Sequence, residues 1–249
     1  MLIDTHAHLD FKQFDKDRGA VIKSAKEAGI AVINSFVDTD QGKVKNSLEL
    51  ATRFDNIHTT IGLPPTELSE EVVDGRIELI KKHRNEIIGI GEVGLDYYWV
   101  REKEKHMVER ENFKKFILLS DELLLPLVVH SRDAEEDIVR MLTEGSKKAV
   151  LHCFSGTAKQ ALDAISIGCL ISVPTSIIYS KMKQKLVGEL PLESIVLETD
   201  APYLSPVPRT RNEPVNIKLS AEKIAEIKGV DIGDVEEITT SNTKEFFNI

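Results

Sequence analysis

A closed (β/α)8 TIM barrel, an α/β fold, is the class this sequence predicts, and three observations carry it. Eight short apolar runs alternate with segments of helical periodicity, and eight strands close such a barrel. The runs are almost continuously apolar, as strands covered on both faces must be. No Gly-rich phosphate loop follows the first run, which disfavours the open doubly wound sheets of dinucleotide and P-loop proteins.

In order, the apolar runs cover residues 1–5, 31–37, 57–63, 87–92, 126–130, 149–152, 169–173 and 194–198, most of them rich in Val and Ile. Residues 16–28 predict a helix ending at Gly29. Phe113, Phe116, Ile117 and Leu124 form an apolar stripe before Pro126. Ala158, Ala161, Leu162 and Ile165 stand at i, i+3, i+4 and i+7, with Gly168 as a stop. After the eighth run, 217–228 and 235–247 predict two closing C-terminal helices, the second with Val235, Ile238 and Phe246 on one face. No linker or low-complexity segment interrupts the rhythm, so 1–249 is read as a single domain.

Six metal-type side chains fall where these runs end. His6 and His8 stand two apart, so an extended chain points both the same way. Glu92 ends the fourth run, among Gly89, Gly91 and Gly94, which would let backbone or ligand approach the carboxylate closely. His130 closes the fifth run, His152 the sixth, and Asp200 follows the eighth. Barrel enzymes draw their reactive groups from the C-terminal ends of strands. Any one of these residues alone has an ordinary explanation as a hydrogen-bonded strand-end group. Six in register predict a site for two divalent cations, with Glu92 placed to bridge them and a metal-activated water as nucleophile.

Composition sets limits on this reading. The net charge of −9 argues against a protein that coats nucleic acid with a basic surface. It leaves room for a phosphodiester enzyme in which cations and a few arginines attract the substrate locally. No stretch of about 18 apolar residues occurs, and the first residues lack a basic-then-apolar leader, so neither a membrane span nor a secretion signal is expected. Cys153 and Cys169 make no disulfide framework, and the cytoplasm is the expected compartment. No stable protein partner is implied, and the oligomeric state is not readable.

The sequence resembles the TatD family of metal-dependent deoxyribonucleases, within the wider amidohydrolase-like barrels. Five blocks carry the resemblance in order. They are Ile3-Asp4-Thr5-His6-Ala7-His8-Leu9-Asp10, Gly91-Glu92-Val93-Gly94-Leu95-Asp96-Tyr97, His130-Ser131-Arg132-Asp133-Ala134, His152-Cys153-Phe154-Ser155-Gly156, and Glu198-Thr199-Asp200-Ala201-Pro202-Tyr203-Leu204 followed by Asn212-Glu213-Pro214. The resemblance implies the same barrel, the same six ligands, and hydrolysis of DNA phosphodiesters. It implies that Asp200 orients or deprotonates the attacking water and that Glu92 is the shared ligand; in the mechanism expected here His152 lies close to the nucleophile. It also implies Mg-dependent activity, whereas four imidazoles favour Zn, Mn or Fe by ligand softness. Related barrels often bridge their metals with a carboxylated lysine; here Glu92 holds that place.

Two departures stand out. Where the family usually has Gly-x-His-Pro-His after the third strand, this chain has Gly62-Leu63-Pro64-Pro65-Thr66. Pro64 and Thr66 replace histidines, the first of which is thought to help hold substrate phosphate. The stretch Pro208-Arg209-Thr210-Arg211 replaces a common Arg-Gly pair.

Further candidates are weaker. Arg132 is expected either to reach the scissile phosphate or to pair with Asp133 or Glu135. Tyr97, with Tyr98 and Trp99, is expected to stack on a base or to pack a loop over the barrel mouth. Asn212 is expected near substrate or as a brace for the Asp200 loop, and Arg209 and Arg211 as solvated loop charges. Cys153 is expected to turn away from His152 toward the helices, His58 to lie at the opposite end of the barrel, and His83 and His106 to sit on the surface. A metal-dependent amide, ester or lactone hydrolase and a non-catalytic metal-binding barrel are the alternatives to DNA cleavage.

Overall fold

The computed structural model describes residues 1–145 and 147–249. Eight parallel strands close into a barrel in chain order: β1 (Leu2–Ala7), β2 (Ile30–Phe36), β3 (Ile57–Ile61), β4 (Gly89–Asp96), β5 (Leu127–Arg132), β6 (Ala149–Leu151), β7 (Leu170–Pro174) and β8 (Ile195–Glu198). Around them lie α1 (Arg18–Glu27), α2 (Val44–Arg53), α3 (Glu70–Lys82), α4 (Lys103–Leu123), α5 (Glu135–Glu144), α6 (Ala158–Ser166), α7 (Lys181–Glu189), α8 (Ile217–Lys228) and α9 (Ile232–Phe247). Every expected strand is present, and β1 closes on β8 through Asp4 opposite Leu197.

The apolar runs are explained by two buried layers. One large cluster fills the space between strands and helices. A second comprises Ile3, Ile33, Val128, Val150 and Val196 from five strands, and Phe247 of α9 packs against it. The last helix therefore plugs the end of the barrel from which the strands start, leaving the opposite end for chemistry. Glycines 29 and 168 end their segments with φ of +73° and +87°, as helix stops should.

Several details differ from the sequence reading. Leu124 is 88 % exposed, because it takes a left-handed cap position after α4 and leaves the stripe. Leu162 is also exposed; α6 buries Ala161 and Ala164 instead. Helix α9 starts at Ile232, three residues early, since the Asp231 side chain accepts from the Gly233 amide and caps it. Its buried face is Val235, Thr239, Thr243 and Phe247, and both threonine hydroxyls donate to carbonyls one turn back, so neither is left unpaired.

Two irregularities position the site. The β1–β2 register shifts between Asp4 and Ala7, a span that contains His6. The β4–β5 register shifts between Ile90 and Val93, a span that contains Glu92. Such bulges re-aim a side chain relative to strict alternation. Close backbone packing surrounds Glu92, because a Cβ at Gly62 would collide with the Glu92 carbonyl and one at Gly94 (φ +149°) with that of His130. Gly94→Ala is therefore expected to lower stability by at least about 2 kcal/mol in urea denaturation; an unchanged midpoint would contradict this packing.

Candidate metal centre

The six expected residues converge at the C-terminal mouth of the barrel. His6 lies in β1 and His8 just beyond it, and Glu92 is in mid-β4. His130 is in β5, while His152 immediately follows β6 and Asp200 comes two residues after β8. His6 Nε2 lies 3.2 Å from His8 Nε2 and 3.2 Å from Glu92 Oε2. His152 Nε2 is 3.5 Å from the same Glu92 oxygen, and His8 Nε2 is 3.5 Å from Asp200 Oδ1. His6, His8 and Glu92 form one compact triad of donor atoms and Glu92, His130 and His152 another; only Glu92 belongs to both. His6, His152 and Asp200 form a third group.

Outer hydrogen bonds fix which nitrogen each imidazole presents. His8 Nδ1 donates to the Ser35 carbonyl at 2.9 Å, so the neutral ring turns the lone pair of Nε2 inward. His152 Nδ1 donates to Glu198 at 2.9 Å, which turns Nε2 toward the Glu92 carboxylate. His130 is reversed: Nε2 is bound to Asp96 Oδ2 at 3.0 Å, leaving Nδ1 as its free donor. Nδ1 of His6 is buried without a partner. Nitrogen lone pairs and carboxylate oxygens thus crowd within about a hydrogen-bond length of one another, an arrangement that cations relieve and apolar packing does not. The donor set fits divalent metal ions of borderline softness.

Electrostatics agree with a built anionic centre. Burial would raise Glu92, but the His6 hydrogen bond and the charges of His152, His6 and His130 hold its carboxyl well below the ordinary range. Asp200 is likewise lowered, with burial outweighed by the bond from His8 and by the charges of His152, His8 and His6. Burial opposes charge on His152, yet Glu198 beside it pushes the imidazole up to about 10. A metal at Nε2 must therefore displace a proton there. Glu198→Gln keeps the shape but removes the charge, and it is expected to weaken metal affinity about 10- to 100-fold in competition against a chromophoric chelator. Unchanged affinity would mean that Glu198 does not orient His152.

Asp200 has a left-handed backbone (φ +59°) and needs external support. Its amide donates to the His6 carbonyl at 2.9 Å. The preceding Thr199 is held through its amide and hydroxyl by Asp4, whose carboxyl burial raises to about 8. Asn212 is fully buried. Its Nδ2 donates to the Thr199 carbonyl and Thr175 hydroxyl, and its Oδ1 accepts from Glu213 and Asn216, so it braces this loop and has no polar atom left for substrate.

The remaining candidates are redistributed. The Tyr97 hydroxyl donates to Asp137 at 2.5 Å and accepts from Arg110, and its ring stacks on His106 at 3.7 Å; the residue anchors the β4–α4 loop instead of facing substrate. His106 is accordingly half-buried and not a surface residue as expected. Arg132 forms no ion pair with Asp133 or Glu135 among the described residues; its guanidinium lies 3.8 Å from the Tyr98 ring centroid. Arg211 is no solvated charge. It pairs with Asp17 and Glu213, tying the β8–α8 loop to the β1–α1 loop. Cys153 does face the helices, its Sγ lying 3.9 Å from Lys183 Nζ of α7. His58 sits near Met1 and Ile249 at the far end of the barrel, and His83, also expected on the surface, is half-buried and pairs with Glu86. In the loop after β3, the Leu63 amide binds the Glu92 carbonyl, whereas Thr66 is exposed.

Sequence reasoning gave no role to Asp96, Glu198, Ser35, Phe11 or Tyr203. Phe11 stacks on the His8 ring at 4.5 Å, with Tyr203 against its edge. Asp96 and Glu198 lie in motif blocks already quoted; a carboxylate four residues after Glu92 and another two before Asp200 were the available signals.

A parallel eight-stranded barrel whose strand ends present four imidazoles and two carboxylates defines a metal-dependent hydrolase. The model of TatD-related DNases matches residues 3–248, and the chain belongs to that family. It is 36 % identical to the deoxyribonuclease TATDN3 of Homo sapiens, over 99 % of this chain and 94 % of that protein. It is also 36 % identical to the metal-dependent hydrolase YabD of Bacillus subtilis, over the full length of both. Its fold matches that of YJJV, a TatD homologue from Escherichia coli, with a TM-score of 0.91 at 24 % identity, over 100 % of this chain and 98 % of that one.

Proposed function

We propose that this hydrolase cleaves DNA phosphodiester bonds at a site for two divalent metal ions. The observation that carries the reading is the shared position of Glu92 between two triads of donor atoms, His6 and His8 on one side and His130 and His152 on the other. The name of its human relative, a deoxyribonuclease, supports the choice of DNA.

When bound, two such ions supply Lewis acidity to a water and to the oxygens of a phosphodiester. Glu92, held ionised, would be shared between the ions and would offset their charge. His6 and His8 would hold one ion and His130 and His152 the other, with the rings of His8, His130 and His152 fixed by the outer bonds described above. Asp200, also ionised and 3.5 Å from His8, orients the attacking water and accepts its proton. Arg132, at the end of β5, contributes positive charge at the mouth where the loop of Pro64 and Thr66 offers no histidine. Magnesium is the expected working ion, with Mn or Zn suited to the imidazole-rich donors. Two free cysteines suit the reducing cytoplasm, and no helix among the described residues is long and apolar enough to cross a membrane.

The test sets single-stranded DNA against aryl esters, lactones and cyclic amides, with the same metal-loaded protein. Turnover of DNA well above every acyl substrate is expected. Preferential turnover of an acyl substrate would reassign the bond.

A further inference from the structure

We propose that Tyr98, Trp99 and Arg132 form a stacking platform for an unpaired nucleobase adjoining the scissile phosphate. The proposal rests on the nuclease reading above and adds a second recognition element to it.

Trp99 is 64 % exposed and Tyr98 38 %, although both lie in the turn after β4, where the neighbouring Tyr97 is pinned from three sides. Large exposed aromatics on a well-anchored turn need a reason. The turn is tied to the metal centre by one carboxylate, because Asp96 Oδ1 accepts from the Trp99 amide at 2.9 Å while Oδ2 holds His130. From the neighbouring strand, Arg132 places its guanidinium 3.8 Å from the Tyr98 ring centroid and 5.8 Å from that of Trp99. Val128, His130 and Arg132 alternate along β5 and so share one face. Val128 belongs to the barrel interior, which sets Arg132 one rung outside His130, about 6.6 Å further along the strand.

This combination has a specific chemical fit. The aromatic faces stack on any base irrespective of sequence, and the guanidinium adds a cation over the ring and attraction for phosphate. A base can lie on Trp99 only if it is unstacked from its neighbours and free of its complement. A phosphate beside it then falls toward His130 and the metals. The acidic remainder of the chain, with its net charge of −9, makes local recognition of this kind more necessary.

Trp99 is the only tryptophan in the chain, so the platform reports on its own occupancy. The experiment follows Trp99 fluorescence while metal-loaded protein is titrated with a nuclease-resistant phosphorothioate oligodeoxynucleotide, the same oligomer carrying abasic residues, and its duplex. In parallel, steady-state cleavage of the corresponding unmodified oligomers is measured for wild type, Trp99→Ala and Tyr98→Ala. Quenching is expected with the base-bearing single strand and far less with the other two. Trp99→Ala is expected to raise KM roughly 5- to 150-fold with little change in kcat. It should also erase the difference between normal and abasic substrates, which a general loss of folding would not do. Equal quenching by normal and abasic oligomers, or an unchanged KM in Trp99→Ala, overturns the platform while leaving the nuclease intact. Base-dependent quenching without cleavage by wild type would instead remove the nuclease reading and leave a base-binding surface.

Discussion

Asp200→Asn is expected to lower kcat for phosphodiester cleavage by about 10²- to 10⁴-fold, the range for losing a positioned general base, with KM little changed. The substitution is close to isosteric. An amide oxygen can still face His8 Nε2 across 3.5 Å, and the bonds that the Asp200 amide donates to the His6 carbonyl and the Thr199 amide donates to the Asp4 carboxyl do not involve the altered atoms. What disappears is a carboxylate kept ionised despite burial, against its ordinary tendency, by three imidazoles around it. Metal binding is expected to fall less than turnover, because the two triads that share Glu92 remain whole and Asp200 belongs only to the third group, with His6 and His152. A comparable drop in metal occupancy would show Asp200 to act as a ligand first and a base second.

Glu92→Gln is expected to have a different signature. Its Oε2 lies 3.2 Å from His6 and 3.5 Å from His152, and no other residue belongs to both triads. Losing that charge would leave the two proposed cations facing each other with less compensation. At least one equivalent of metal should be lost, and turnover should fall by about 10³-fold or more. Thermal unfolding gives an independent readout. Metal at 100 times its Kd stabilises the folded state by about 2.7 kcal/mol, so wild-type protein should show a clear rise in Tm on metal addition. Glu92→Gln should show a much smaller rise. An equal rise in both would mean that Glu92 does not bridge.

Why the candidate ligands were legible and their supports were not is a matter of range. A strand signal needs only a few neighbouring residues, and eight such signals with His, Glu or Asp near their ends suffice to place a barrel and its mouth. The bulges in β1 and β4 are invisible at that range, because a register shift belongs to a pair of strands and not to one. Glu92 therefore read as a strand end, although β4 continues to Asp96. The outer partners were hidden for the same reason: Glu198 meets His152 across 46 residues and Asp96 meets His130 across 34. Tyr97 and His106 illustrate the limit from the other side. Both carry polar handles suited to a site, yet each is consumed by a stack that forms only when α4 folds back on the end of β4. Arg211 is another case, since its partner Asp17 is 194 residues away.

The central claim is tested most directly by adding Mg, Mn or Zn back to chelator-stripped protein. Bound metal per chain and cleavage of an end-labelled single-stranded DNA are then measured in the same samples, with Asp200→Asn as the control. Two ions per chain, with cleavage restored in wild type and lost in the metal-loaded Asp200→Asn protein, is the predicted result. Full metal loading without cleavage, or undiminished cleavage by Asp200→Asn, would contradict it.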